Sequence, residues 1–275
     1  MAPPGSVGEA AATCLVRLRA TRPLVHCLTN MVTMHTVAQA IRAAGAVPVM
    51  ASAPEEVDEV AASADAVVIN LGTPSRERLV AAHRAAGVAV ARGRPVVLDP
   101  VAAGVSAFRT AAARGFLAGP GVAIVRANAG EAAALHGATG TVRGVEALDV
   151  GEPAEAARAL ARRYGTVAAI TGATDHVHDG RRHIVVDHQT AALDGVIGAG
   201  DLATALVGAC AAVEADHLLA AAAGLVLLDV AASQAATAAA GPGSLLPALL
   251  DALAALPSER LAAHTGARVV ENAWI

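Results

Sequence analysis

A parallel α/β sheet, covered by helices on both faces and carrying an antiparallel edge, is the fold class that this sequence predicts. Two patterns carry the prediction. Continuously apolar runs such as Ala66-Val67-Val68-Ile69 and Pro95-Val96-Val97-Leu98 recur between Ala-rich helical stretches. Strands that are apolar on both faces belong to parallel sheets with helices on each side. Later, Asp179-Gly180 separates His176-Val177-His178 from His183-Ile184-Val185-Val186, the signature of a tight hairpin.

Taken in order, the first twenty or so residues read as an amphipathic helix with Ala11, Leu15 and Leu18 on one side. Leu24 to Cys27 reads as a strand, Asn30 to Ala44 as a helix stopped by Gly45, and Val47 to Met50 as a second strand. A helix over Pro54 to Ala62 leads to a strand over Ala66 to Asn70, and a helix over Ser75 to Ala91 to a strand over Pro95 to Asp99. Ala107 to Phe116 is helical, Ala123 to Val125 a strand, Ala129 to Leu135 a helix, Pro153 to Tyr164 a helix and Val167 to Ile170 a strand. The hairpin follows, and from Asp201 onward the chain is almost wholly helical. Its longest apolar run, Leu218 to Leu228, is too short for a bilayer and reads as a core helix. No linker, repeat or low-complexity tract interrupts the pattern, so residues 1–275 are expected to form one domain.

Composition narrows the function. The chain is 55% hydrophobic and 16% charged, enough to bury a sizeable core. All 20 basic residues are Arg, which excludes a Lys-dependent P-loop or Schiff base. A net charge of −4 without a basic run argues against nucleic-acid binding. Cys14, Cys27 and Cys210 have no metal-ligand spacing, and no signal peptide is evident at Met1-Ala2-Pro3-Pro4-Gly5. A cytoplasmic, reducing compartment is the expectation.

The polar residues that stand out fall at strand ends, where open α/β sheets bind ligands. These are Asn30, Met50, Asn70-Leu71-Gly72-Thr73, Asp99-Pro100, Arg126 to Glu131, Thr171-Gly172 and Gly198-Ala199-Gly200-Asp201. The last is the most informative. Two glycines entering an apolar helix leave backbone N–H groups bare for an anion, and Asp201 puts a carboxylate beside them. A carboxylate next to an anion hole suits a base that deprotonates a hydroxyl during phosphoryl transfer. Each feature also has a purely structural reading: Asp99-Pro100 as a turn, Asn128 with Glu131 as a capping box, Asp201 as helix capping.

These residues resemble those of the hydroxyethylthiazole kinase family in the ribokinase-like group. The resemblance runs from about residue 20 to 245. Its carriers are Val25-His26-Cys27-Leu28-Thr29-Asn30, Gly45 to Ala51, Val68 to Thr73, Val97-Leu98-Asp99-Pro100-Val101, Asn128-Ala129-Gly130-Glu131 and Ile170-Thr171-Gly172. It implies a three-layer α/β/α sandwich and a homotrimer with active sites between subunits. It also implies transfer of a phosphoryl group from ATP to the hydroxyl of 4-methyl-5-(2-hydroxyethyl)thiazole, in thiamine salvage. Asp99 and Glu131 would then hold Mg²⁺ through water, with Asn128 orienting that shell. Arg126 and Thr171 match positions that contact ATP. Asn30 and Met50 match the thiazole pocket, Gly198 a substrate contact, Gly200 the anion-binding turn, and Asp201 the base.

The chain also departs from that family. Asp201 stands where thiazole kinases often carry Cys, and a carboxylate is the better base at neutral pH. Ile197 and Ala199 replace threonines, and Ala102 stands where a glycine follows Asp-Pro-Val. A kinase for another small alcohol such as hydroxymethylpyrimidine, a ribokinase-like hydro-lyase acting on damaged nicotinamide cofactors, and a non-catalytic nucleotide binder are the competing readings. The histidines His176, His178, His183 and His188 are expected to face solvent on an edge hairpin.

Overall fold

Apolar runs of four or five residues, each between helices, settle side by side into one sheet. The computed structural model describes residues 5–119, 121–137, 141–143, 146–148 and 152–270. Its strands are β1 (Leu24–Leu28), β2 (Val47–Val49), β3 (Ala66–Asn70), β4 (Val96–Asp99), β5 (Val122–Asn128), β6 (Thr141–Arg143), β7 (Glu146–Leu148), β8 (Val167–Thr171), β9 (Thr174–His178), β10 (His183–Asp187) and β11 (Ala267–Val270). The main sheet has nine strands in the order β11-β10-β9-β8-β5-β4-β3-β1-β2, and β6 pairs with β7 in a separate ribbon. From β2 to β8 all pairings are parallel, and from β8 to β11 all are antiparallel.

Strand alternation sorts the side chains into two cores. Val25, Cys27, Val68 and Val97 face one, and Leu28, Val67, Ile69, Val96 and Leu98 the other. The first core is roofed by α1 (Val7–Thr21), α2 (Met34–Ala44), α8 (Ala199–Ala211), α9 (His217–Ala238) and α10 (Pro242–Ala255). The second is roofed by α3 (Val57–Ser63), α4 (Arg76–Ala91), α5 (Ala107–Ala118), α6 (Ala129–His136) and α7 (Pro153–Tyr164). The result is the expected three-layer α/β/α sandwich. A short α11 (Ser258–Ala262) leads to β11.

Helix α9 is long and apolar enough to cross a membrane, yet 83% of its most apolar window is buried inside the fold. It packs on α1, α8 and α10. Small residues allow the close approach. A Cβ on Gly224 would stand 2.5 Å from the Val207 backbone nitrogen in α8, and one on Gly208 would overlap Val68 of β3. These two glycines press α9 onto α8 and α8 onto the sheet, which fixes where the N-terminus of α8 points.

Three elements differ from the sequence reading. Helix α2 starts at Met34 rather than Asn30, because the Asn30 side-chain Oδ1 accepts the Val32 and Thr33 amides and turns the chain there. The hairpin is interior, since β11 covers β10. The four residues of β11 carry a charge and no long apolar run, so sequence periodicity passes over them. The hairpin histidines are therefore not on a solvent edge: His178 is buried, and the half-buried His176 and His183 rings stack at 5.3 Å.

Gly224→Ala is expected to lower the melting temperature by roughly 5 °C, reflecting an overpacking cost of about 2 kcal/mol. Thermal unfolding followed by circular dichroism measures it, and an unchanged melt contradicts the tight α8–α9 contact.

Candidate active site

The parallel register brings the polar residues into one row. Asn70 ends β3 opposite Asp99 at the end of β4, and Asn128 ends β5 opposite Thr171 at the end of β8. Asp99 is fully buried. Its Oδ2 accepts from Asn70 Nδ2 at 3.0 Å and from Thr204 Oγ1 at 2.7 Å, while its Oδ1 is buried without a partner. Burial pushes the Asp99 carboxyl up to about 8; the Arg126 guanidinium opposes the rise, and the carboxylates of Glu131 and Asp201 add to it.

Glu131 opens α6 in the capping box read from the sequence. Asn128 Oδ1 accepts the Glu131 amide at 2.8 Å, and Glu131 Oε2 accepts the Asn128 amide at 2.9 Å. Its Oε1 accepts the Ala102 amide at 2.7 Å. Burial raises the Glu131 pKa, while Arg126 and the two amides oppose it. Ala102 sits at φ 60°, a left-handed conformation that costs a non-glycine residue about 1 kcal/mol. The glycine-to-alanine departure seen in the sequence thus falls on a strained turn whose amide holds Glu131.

Arg126 spans this row. Its guanidinium donates to Thr171 Oγ1 and lies 3.8 Å from Asp99 Oδ2. It also lies over the first turn of α8, where a Cβ on Gly200 would overlap it. Gly198 caps α8 at φ 91°, and a Cβ there would overlap the Thr33 methyl. The two glycines therefore do more than bare the amides: Gly200 admits a cation and Gly198 admits Thr33. A guanidinium above a helix N-terminus is a compact anion site.

Asp201 sits beside that site in a net of donors. Asn70 Nδ2 donates to its Oδ1 at 2.8 Å, and Asn30 Nδ2 and Thr33 Oγ1 donate to its Oδ2 at 2.8 and 2.5 Å. Asn30 Nδ2 also donates to Asn70 Oδ1 at 3.1 Å. Asn30 thus touches the carboxylate itself, a contact the sequence did not foretell. Asn70 bridges Asp99 and Asp201 through its one amide nitrogen. Thr33 and Thr204 were not singled out from the sequence, because isolated threonines carry no local signal. Met50 lies half-buried at the end of β2, outside this hydrogen-bonded net. His26 is buried with its Nε2 2.6 Å from the Ala51 carbonyl, and His35 is exposed.

Beside Arg126 a cleft of about 740 Å³ opens between Asn128, Thr171, Gly172, Gly200 and Leu225. Among the described residues no group of three or more His, Cys, Asp or Glu side chains is placed to hold a metal ion by itself. The donor set nonetheless suits Mg²⁺, which takes few protein carboxylates and keeps its waters. The orphaned Asp99 Oδ1 and the raised carboxyls of Asp99 and Glu131 are what a bound cation would relieve.

The hydroxyethylthiazole kinase family model matches residues 15–259. A hydroxyethylthiazole kinase from Desulforudis audaxviator is 48% identical over 259 residues, spanning 94% of each chain.

The chain belongs to the hydroxyethylthiazole kinase family.

The structure of a hydroxyethylthiazole kinase protein from Pyrococcus horikoshii superposes with a TM-score of 0.86 at 37% identity, covering 95% of this chain and 99% of that one. Bacillus subtilis pyridoxal kinase, at 18% identity, shares the fold with a TM-score of 0.59 over 77% of this chain and 91% of that one.

One feature of this kinase-family cleft was invisible in the sequence. His188 lies between two buried carboxylates, with Nε2 3.0 Å from Asp175 Oδ1 and Nδ1 3.3 Å from Asp229 Oδ1. All three residues line the cleft. The hydrogen bonds to Asp175 and Asp229 hold the imidazole protonated, its pKa raised to about 10. Residue spacing hides this trio, since strand β9, the segment after β10 and helix α9 supply one member each.

A pKa raised in the folded state stabilises the fold fully below the unfolded value of about 6.5, and that contribution fades as pH rises toward about 10. His188→Gln is therefore expected to cost roughly 2 kcal/mol near pH 6, a figure lowered for the imidazole's residual solvent contact. The deficit should shrink as pH climbs from 7 to 10. Urea melts at a series of pH values measure it, and a deficit independent of pH contradicts a protonated clamp.

Proposed function

We propose that this chain transfers the γ-phosphoryl group of ATP to the primary hydroxyl of 4-methyl-5-(2-hydroxyethyl)thiazole, with Asp201 as general base. The observation that carries the reading is the pairing of the Asp201 carboxylate with an anion site. Asp201 lies in the first turn of α8, and the Arg126 guanidinium lies against Gly200 in the same turn. Attack and charge neutralisation therefore fall within one helical turn.

The nucleotide would lie in the cleft, its terminal phosphate toward Arg126, Thr171 and the Gly200 and Asp201 amides at the start of α8. The acceptor hydroxyl would approach from the Asn30 side and donate to Asp201. As its oxygen bonds to the γ-phosphorus, the proton passes to the Asp201 carboxylate and the bond to the ADP oxygen breaks. Arg126 and the α8 amides take up charge on the transferring group, and Gly198 keeps the turn open to the acceptor. Asp99 and Glu131 would hold Mg²⁺, which when bound neutralises phosphate charge, with Asn128 fixing the Glu131 carboxylate. Met50 offers a soft apolar wall for the heterocycle.

The family match over residues 15–259 and the 48% identity to a named relative favour the thiazole alcohol over a pyrimidine alcohol or a hydrated cofactor. A homotrimer accords with the apolar side chains around the acceptor end. Met31, Val32 and Ile197 are 68%, 70% and 85% exposed beside Asn30, Thr33 and Gly198, and a second copy would cover them. Three free, buried cysteines accord with a reducing, cytoplasmic setting.

Asp201→Asn is expected to lower kcat by roughly 10²–10⁴-fold while ATP still binds, the range general-base loss produces. Coupled ADP-release kinetics and calorimetric ATP titration read the two effects. Turnover within a few-fold of the unaltered enzyme would remove Asp201 from the role of base.

A further inference from the structure

Thr33 is the N-cap residue of α2, yet its hydroxyl makes no capping bond to that helix. A threonine in this position ordinarily accepts an amide of its own first turn. Here the hydroxyl donates to Asp201 Oδ2 at 2.5 Å, and only 7% of the residue is exposed. The first turn of α2 is shaped by Asn30 instead, whose side-chain Oδ1 accepts the Val32 and Thr33 amides. The threonine hydroxyl is thus released from local duty and aimed at the residue read above as the base.

The three donors on Asp201 are not equivalent. Asn30 is tied down by the two backbone amides that donate to its Oδ1 and by its second side-chain N–H, which goes to Asn70 Oδ1. Asn70 is tied down by Asp99 on its nitrogen and by the Gly72 amide on its oxygen. Neither amide can leave Asp201 without breaking two or more other bonds. The Thr33 hydroxyl is a rotor on one torsion, and its alternative acceptor, Asn30 Oδ1, is 3.2 Å away. It is the one donor of the three whose proton can turn from the carboxylate to another acceptor without breaking a further bond. It is also the same kind of group as the acceptor: an alcohol donating to a carboxylate.

We infer that the Thr33 hydroxyl is a placeholder for the acceptor alcohol, occupying Asp201 Oδ2 until substrate arrives and thereby denying that oxygen to water. The inference rests on Asp201 being the base. A kinase with ATP bound and its base open to water catalyses a futile transfer. The water oxygen bonds to the γ-phosphorus, its proton goes to Asp201, and the bond to the ADP oxygen breaks, giving ADP and inorganic phosphate. With Thr33 on Oδ2, water must first displace a short, charge-assisted bond. The acceptor displaces it too, but brings the binding energy of its heterocycle to do so. Thr33 is therefore a positioning residue that discriminates between acceptor and solvent.

The test is ADP formation without any acceptor, measured alongside the acceptor KM. Thr33→Val removes the hydroxyl and keeps the branched shape beside Gly198; Thr33→Ala is a second hydroxyl-free variant. Both are expected to hydrolyse ATP about five-fold faster than the unaltered enzyme, the effect of one hydrogen bond that no longer has to be displaced. The acceptor KM should fall by a similar factor. Thr33→Ser, which retains the donor, should return hydrolysis toward the starting rate, an outcome that a packing role for the methyl would not give. Acceptor-free hydrolysis at or below the starting rate in both hydroxyl-free variants overturns the inference. So does phosphate found on Thr33 by mass spectrometry, since the hydroxyl would then be an acceptor rather than a placeholder. Asp201→Asn separates the two layers. If it retains acceptor phosphorylation, the base assignment fails; if it is inactive while Thr33 variants hydrolyse no faster, only the placeholder fails.

Discussion

Arg126 is the cation on which the strand-end carboxylates depend. Asp99 and Glu131 are withdrawn from water, which disfavours their charged forms, and the Arg126 guanidinium offsets that cost at both. Its own placement requires Thr171 Oγ1 to receive it and Gly200 to have no side chain. The helix that carries Gly200 is set by Gly208 against Val68 and by Gly224 of the neighbouring helix. Packing in the core thus reaches the chemistry through a short chain of contacts: α9 on α8, α8 on the sheet, the α8 N-terminus on Arg126, and Arg126 on the carboxylates.

The amide side chains complete the electrostatic design. Asn70 gives one N–H to Asp99 and one to Asp201, so a carboxylate suited to a cation and a carboxylate suited to a proton are held apart by one neutral residue. Direct contact between the two would force one to stay protonated. With the amide between them, each keeps its own set of partners: Thr204 for Asp99, and Asn30 with Thr33 for Asp201.

Much of this arrangement was legible in the sequence because parallel strands announce themselves. The apolar run Ala66 to Ile69 fixed a strand, and Asn70 then had to lie on the ligand-binding edge beside Asp99. Asn128 with Glu131 read as a capping box, and the box exists. Its structural and functional readings are compatible, since the same bonds that cap α6 orient the carboxylate. What was not legible depends on contacts between segments far apart in the chain. Thr33 meets Asp201 across 168 residues, and His188 meets Asp229 across 41. Neither pair shares a motif. The hairpin histidines were misjudged because β11, too short and too polar to stand out, turns an expected edge into an interior strand.

In the proposed reaction the transferring phosphate rests between Arg126 and the first turn of α8, with the acceptor hydroxyl on Asp201. A crystal structure with a non-hydrolysable ATP analogue and the thiazole alcohol tests it most directly. The terminal phosphate is expected within hydrogen-bond reach of the Arg126 guanidinium and the α8 amides, and the alcohol oxygen on Asp201. A terminal phosphate bound away from α8, or an acceptor hydroxyl that reaches no oxygen of Asp201, would contradict it.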